Sequence, residues 1–368
     1  MKILLCSPYL QQEGIIPGGI NMWAHNLLKY REEIESDVDL LPISFDRRNY
    51  VSVDTNIIKR VHLGVKEFSS AVKEAKSAMR REAVDVVHLC SSASISLTKD
   101  IIVLKAARKR NIKTVLHLHF GRIPELFKKK NWEWHLLKMA ASLADTIVTM
   151  DMRSYDTLKQ LKYNVVYCPN PLSVDVEKQI KQEAGNLERL PNKVVFVGHV
   201  LPSKGVFELV EAGLIQDCIE LHIIGKAEEP ILSELKAIAN KRDDGKWVRF
   251  RGEIAHKDVI REMLSASLFA FPSYTEGFPN VILEAMACGT PIVTTRVGAI
   301  PQMLDAGTGL YGICVEPQDV TSFSKGMKAF LSDPIKAFDC ANRAKMRVNE
   351  MYSSPKVWNQ LVCIWKNS

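Results

Sequence analysis

The residues best suited to chemistry lie between Leu268 and Gly298, in LFAFPSYTEGFPNVILEAMACGTPIVTTRVG. An apolar run from Leu268 to Phe271 leads into a polar turn holding Glu276 and Gly277; a helix is predicted to open near Pro279, and a second apolar run covers Pro291 to Thr295. Glu284 falls one turn into that helix, on the face a ligand at its N-terminus would meet. Gly277 lets the backbone come close to a ligand, and Pro279 suits a first helical turn, where its missing N–H would be unpaired anyway. Free amides and the positive end of the helix dipole then face the surroundings of Glu276, which favours an anion such as a phosphate. Two carboxylates can also serve as the acid and nucleophile of a glycosidase, but that pair flanks one bond and leaves a helix N-terminus without a role. A long ligand with hydroxyls at both ends and anionic charge between them fits better. A sugar nucleotide is such a molecule. The plainer alternative is a solvated loop acid and an exposed helix acid.

Elements must hold these groups in place. Residues 2–170 alternate apolar runs with longer amphipathic segments. Candidate strands are Ile3–Cys6, Val38–Pro42, Val84–Leu89, Lys113–His119, Asp145–Thr149 and Val165–Cys168, with helices near 20–35, 67–82, 97–110, 131–143 and 153–162. Strands separated by helices imply a doubly wound parallel sheet, whose ligands sit at the carboxyl ends of the strands. Two features fall at such ends. Pro17, Gly18 and Gly19 precede a helix without a GxGxxG pattern, and TVLHLHFGR sets His117 and His119 on one strand face. Those histidines could pair on a metal, but no third ligand is visible nearby, so no metal site is expected. Pro171–Asn192, charged and poor in large apolar residues, reads as an interdomain segment. A second sheet starts at KVVFVGHVLPSKG, where Lys204 stands at a helix start with His199 five residues before it. Further strands end at Gly225 and at Gly252, the latter followed by Glu253 and Ile254, and from Pro317 the chain is helical. The last helix presents Trp358, Leu361, Val362 and Trp365 at helical spacing.

The totals agree with two soluble α/β domains: 368 residues, 46% hydrophobic and 25% charged. The N-terminal apolar run is too short for a signal peptide, and no run approaches a spanning helix, so a cytoplasmic protein is expected. The eight cysteines show no CxxC spacing and read as reduced, buried and inert. The net charge of +7 is uneven: residues 1–170 hold 26 Lys and Arg against 18 Asp and Glu, a balance of +8, and residues 171–368 hold 23 against 24, a balance of −1. Lys128–Lys130 beside Trp132 and Trp134, with Arg108–Arg110, could meet an anionic membrane or could edge a solvated helix. No nucleic-acid recognition motif accompanies the charge.

Glu276, Glu284, Ala285, Gly289, Pro291 and Val293 together resemble the donor-site signature of the family 4 retaining glycosyltransferases (glycosyl transferases group 1). The resemblance is strongest over Lys193–Leu304. It implies the GT-B fold: two Rossmann-like domains facing a cleft, here residues 1–172 and 190–350 with 171–192 between them, and a terminal helix, 355–368, crossing back to the first domain. It also implies a sugar moved from a nucleotide diphosphate sugar to a hydroxyl acceptor in polysaccharide or glycolipid synthesis, with no further cofactor. Glu276, Gly277, Phe278, Pro279 and Asn280 would hold the donor sugar and Glu284 the ribose. Lys204 and the Gly18–Gly19 backbone would hold the diphosphate, His119 would reach the sugar, and the loop Gly252, Glu253, Ile254 would grip the base. Catalysis would rest on Glu276, Lys204 and His119 without a metal, the leaving phosphate deprotonating the acceptor. One position departs from the family: His199 stands where an Arg is usual, and an imidazole lacks the fixed charge and fork of Arg. Either the bound phosphates protonate His199 or another cation substitutes. A non-catalytic sugar-nucleotide or membrane-surface binder and a sugar-nucleotide epimerase are the alternatives on the same architecture.

Overall fold

The computed structural model describes residues 1–8, 19–45, 57–305 and 307–368, and for 57–67 the course of the helix alone. Its contacts divide the chain into a first unit, Met1–Pro171 with Ser354–Ser368, and a second, Leu172–Ser353. Each unit is built on one six-stranded sheet, and every strand pairing is parallel.

In the first unit the strands are β1 (Lys2–Ser7), β2 (Asp39–Ser44), β3 (Val86–Ser91), β4 (Lys113–Leu118), β5 (Thr146–Thr149) and β6 (Val165–Tyr167), in the spatial order β2-β1-β3-β4-β5-β6. The interior strands are apolar on both faces because helices cover both. Leu4, Val87, Leu89 and Leu116 pack with the helices Ile57–Arg81, Leu97–Arg108 and Trp132–Ala141. On the other face Leu5, Cys90, Val115 and Val148 meet Trp23 and Leu27 of Gly19–Glu33 and Val357, Trp358, Leu361, Ile364 and Trp365 of Ser354–Asn367. The terminal helix thus completes the core of the first unit.

In the second unit the strands are β7 (Leu190–Val197), β8 (Glu220–Ile224), β9 (Val248–Gly252), β10 (Ala266–Phe271), β11 (Ile292–Thr295) and β12 (Ile313–Val315), in the order β12-β11-β10-β7-β8-β9. Winding runs outward from β7 through β8 and β9 on one side and from β10 through β11 and β12 on the other. The direction reverses between β7 and β10, which is where doubly wound sheets open a crevice beyond their strand ends.

Several sequence expectations need correction. Residues 171–192 are not a bare connection: they contain the helix Val174–Glu183, whose Val176 and Ile180 are buried four positions apart, and the start of β7. The high charge of the segment hides that apolar spacing. Arg189, within it, donates to the carbonyls of Ala266, Cys288 and Gly289 at 2.7 Å each. It thereby caps the C-terminal end of the helix that carries Glu284. The helix read as 67–82 begins at Ile57, and a short helix, Ile123–Lys129, lies where none was expected. Cys218 and Cys363 are exposed rather than buried. Trp134 is buried and Trp132 exposed, so only one of the two tryptophans turns inward. Among the described residues no helix is long and apolar enough to cross a membrane.

Candidate active site

The loops after β7 and β10 flank the point where the second sheet reverses. The first runs from Gly198 through a single turn, Pro202–Lys204, to the helix Val206–Leu214. Gly205 makes the turn in the left-handed region (φ 69°), and a Cβ there would stand 2.1 Å from the Pro272 carbonyl oxygen. Only glycine permits that approach, and it brings the two loops together. The Tyr274 N–H donates to the Ser203 carbonyl at 2.9 Å, and the Tyr274 hydroxyl donates to the Glu208 carboxylate. Burial, with the Glu208 carboxylate next, pushes the Tyr274 phenol up to about 12, so it remains a donor.

The acidic turn is held from a third side by the loop after β11. Ala299 N–H donates to the Gly277 carbonyl at 2.8 Å, and the Thr295 hydroxyl donates to the Ser273 carbonyl. Gly298 (φ 54°) lies so close that a Cβ would come within 2.3 Å of the Glu276 carbonyl oxygen. The turn Ser273–Gly277 is therefore held through its backbone at Ser273, Tyr274 and Gly277. Pro279, expected in the first helical turn, instead precedes the helix Asn280–Ala287 in extended backbone (φ −76°, ψ 110°), and no side chain caps that helix.

Each carboxylate of the motif already has a cation. Glu276 Oε1 accepts from Lys204 Nζ at 2.5 Å, with side-chain exposures of 11% and 24%. Glu284 Oε1 lies 3.0 Å from His256 Nε2, and the Glu284 side chain is 13% exposed. The bond to Glu284 raises the His256 pKa above its ordinary value, against the opposing effect of burial and with Asp175 adding to the rise. Sequence patterning does not single out His256. It opens the helix His256–Leu264 directly after the Gly252–Ile254 loop, and that neighbourhood was the available signal.

The neighbouring strand ends meet through glycines. Gly198 N–H donates to Ile224 O at 3.0 Å, and Gly225 N–H donates to Gly252 O at 2.8 Å. A Cβ at Gly225 would overlap the Gly198 carbonyl oxygen at 1.9 Å. Gly252 (φ 63°) has open space beyond it, and Gly252 and Glu253 are exposed. His199 is exposed one residue after Gly198, while Phe278 and Pro279 are buried behind the turn. The structure thus brings Lys204, Glu276, Gly277, Glu284 and His256 together in contacting pairs and loops around the carboxyl edge of one sheet.

The first unit presents a different site. Gly18 lies outside the described residues; Gly19 opens its helix, exposed, with nothing within 4 Å of an added Cβ. His119 follows β4, its N–H donating to Ser91 O at 2.9 Å. The His117 and His119 rings are 3.9 Å apart between centroids. The sequence showed no third metal ligand near this pair, yet β3 brings His88 and Cys90 beside His117, with ligand atoms within 4.8 Å of one another. In-register pairing of β3 with β4 produces that juxtaposition, which local spacing does not reveal. Burial lowers His88 and His119 to about 3, so both rings are neutral. The Asp39 and Asp243–Asp244 carboxylates lie at the amino ends of β2 and β9, away from the ligand edge of either sheet.

Residues 177–347 match the family model described as glycosyl transferases group 1. An uncharacterized glycosyltransferase of Methanocaldococcus jannaschii is 27% identical over 331 residues, 87% of this chain and 86% of that protein. A GDP-mannose-dependent monoacylated phosphatidylinositol monomannoside mannosyltransferase of Corynebacterium glutamicum is 32% identical over 158 residues, 39% of this chain and 40% of that protein. Among solved structures, Anabaena HepE in complex with UDP superposes with a TM-score of 0.73 at 17% identity, covering all of both chains. A parallel six-stranded sheet with helices on both faces, repeated once, is the GT-B fold. Over residues 177–347, most of its second unit, the chain matches the glycosyl transferases group 1 family.

Proposed function

We propose that the chain transfers a sugar from a nucleotide diphosphate sugar to a hydroxyl of a growing polysaccharide or a lipid-linked acceptor, as a family 4 enzyme. The observation that carries this reading is the Lys204–Glu276 pair at the reversal point of the second sheet, 2.5 Å apart and partly open to solvent. A diphosphate arriving there offers Lys204 a stronger partner than one carboxylate, and the freed Glu276 then accepts from sugar hydroxyls. Glu284, one turn into its helix, takes the ribose hydroxyls in exchange for His256. Gly277 and the start of the helix Asn280–Ala287 supply backbone donors, and the loop Gly252–Ile254 supplies backbone for the base. The UDP bound to one structural relative and the GDP-mannose dependence of one sequence relative support the ligand class and leave the base open.

In this scheme Lys204 and the backbone donors act where negative charge grows on the leaving diphosphate, which is where preorganised electrostatics contributes most. The leaving phosphate takes the acceptor proton on the same face, which gives retention of configuration with no metal and no covalent protein intermediate. Glu276 orients the sugar. His119, which the resemblance assigns to the donor sugar, keeps that role in this reading, and His199 takes part of the role that Arg usually fills. The exposed Trp132 beside Lys128–Lys130 suits attachment to an anionic membrane surface on the cytoplasmic side. The test is slow hydrolysis of UDP- and GDP-sugars without acceptor: one donor class is consumed by the native chain, and Glu276→Ala abolishes the consumption. Equal hydrolysis by the variant would contradict the reading.

A further inference from the structure

One face of the first sheet, covered by the helices Gly19–Glu33 and Ser354–Asn367, holds a run of buried rings that the donor-site reading leaves unused. Trp365 and His88 are 2% and 0% exposed, and the Trp365 Nε1–H donates to His88 Nδ1 over 2.9 Å. His88 Nε2 lies 3.2 Å from Nδ1 of His117, which is also fully buried. An indole N–H only donates, and a neutral imidazole carries one proton. His88 Nδ1 must therefore accept, which places its proton on Nε2. That proton is donated to His117 Nδ1, which leaves the His117 proton on Nε2. An imidazolium at either ring would set two N–H donors face to face, so the chain runs in one direction and both rings are neutral. Its far end, His117 Nε2, is buried without a partner among the described residues, as are His119 Nε2 and Trp23 Nε1. The His117 and His119 rings are tilted by 34°, and the Trp23 ring closes on them at 4.9 and 5.0 Å.

We propose that Trp365 and His88 are positioning residues for His119: by fixing the Nε2–H tautomer of His117, they hold an uncharged ring of defined orientation against the histidine assigned to the donor sugar. The link to catalysis rests on the donor-site reading above; the tautomers do not. A metal held by His88, Cys90 and His117 is the competing account. It conflicts with the Trp365 N–H, which occupies His88 Nδ1 directly and would oppose the proton that Nε2 coordination forces onto Nδ1. Burial also pushes the Cys90 thiol up to about 12, away from the thiolate a metal needs.

Histidine-selective ¹⁵N–¹H correlation spectra of the full chain test the proposal, because they report which ring nitrogen carries the proton. The expected result is that His88 and His117 are both Nε2–H tautomers that do not titrate between about pH 5 and 8, with spectra unchanged by added zinc. Trp365→Phe keeps an aromatic ring but removes the donor; it should turn His88 and His117 into tautomer mixtures and lower kcat about tenfold with KM unchanged. Nδ1–H tautomers in the native chain, or zinc-induced shifts at His88 and His117, would overturn the chain, and the native protein alone decides this. Altered tautomers with unaltered kcat would overturn the positioning role. If the native chain hydrolyses no nucleotide sugar, the donor-site reading fails instead, while the spectra still judge the hydrogen-bond chain.

Discussion

The two units keep their titratable groups in opposite settings. In the second, Glu276 and Glu284 lie partly open to solvent and each is matched by a cation from an adjoining loop, Lys204 or His256. In the first, His88 and His117 are sealed and neutral, and their order is set by a directional chain of N–H donors. Partly open ion pairs can exchange partners because water and ligand compensate either half. The buried rings cannot reverse their order without setting a His88 Nδ1–H against the Trp365 N–H. Under the proposed function the partly open pairs suit takeover by a charged ligand, whereas the buried rings suit a fixed structure.

The largest effect that separates the two regions is on turnover. Lys204→Ala should lower kcat for sugar transfer by about 10²–10³, the loss typical of removing one preorganised electrostatic donor, while leaving the thermal midpoint nearly unchanged. Steady-state kinetics with a melting curve checks both halves. Next is a purely conformational change: Gly205→Ala places a Cβ against the Pro272 carbonyl at a φ of 69°. It should cost at least about 2 kcal/mol of stability, read by denaturant unfolding, and should disturb the Lys204–Glu276 pair as a consequence.

The histidines of the first unit give a pH signature. Burial lowers His88 and His119 to about 3 and His117 well below its ordinary 6.5. Depressed values mean that the unfolded chain takes up protons first. Stability is intact above about pH 6.5 and falls as pH drops toward 3, by about 1.4 kcal/mol per pH unit for each histidine. Urea unfolding as a function of pH should show that slope, and replacing His88 with Phe should reduce it. Smallest of all, Arg153→Ala, which removes an exposed pair with Glu125, should change stability by no more than about 0.5 kcal/mol. A larger loss would mean that surface charge matters here more than the contrast between regions allows.

Much of the second unit is legible in the sequence because its signals are local. A strand, an acidic turn, a helix and a second strand follow one another between Leu268 and Gly298, and alternation of apolar and polar runs locates each within a residue or two. Glycines mark where loops meet, since Gly205, Gly225 and Gly298 each sit where a Cβ would strike a carbonyl oxygen. Long-range pairings are not legible in this way. His88 and His117 are 29 positions apart, and Trp365 reaches His88 across 277. Only strand register and the return of the terminal helix join them. Arg189 was hidden for the same reason: its partners lie near Ala266 and Gly289, and its own segment looks like a charged connection. His256 was closer to view, at the start of a helix beside a proposed ligand loop, but its partner Glu284 is 28 positions away.

The proposed function requires that the cation-matched carboxylates of the second unit receive a nucleotide sugar. Titration calorimetry of the intact chain with UDP and with GDP measures this directly. Saturable binding of one nucleotide is expected, weakened about tenfold to a hundredfold by Lys204→Ala, in line with the loss of a charge-assisted contact, and weakened again by Glu284→Gln. Binding of equal strength to the native chain and to both variants would contradict it.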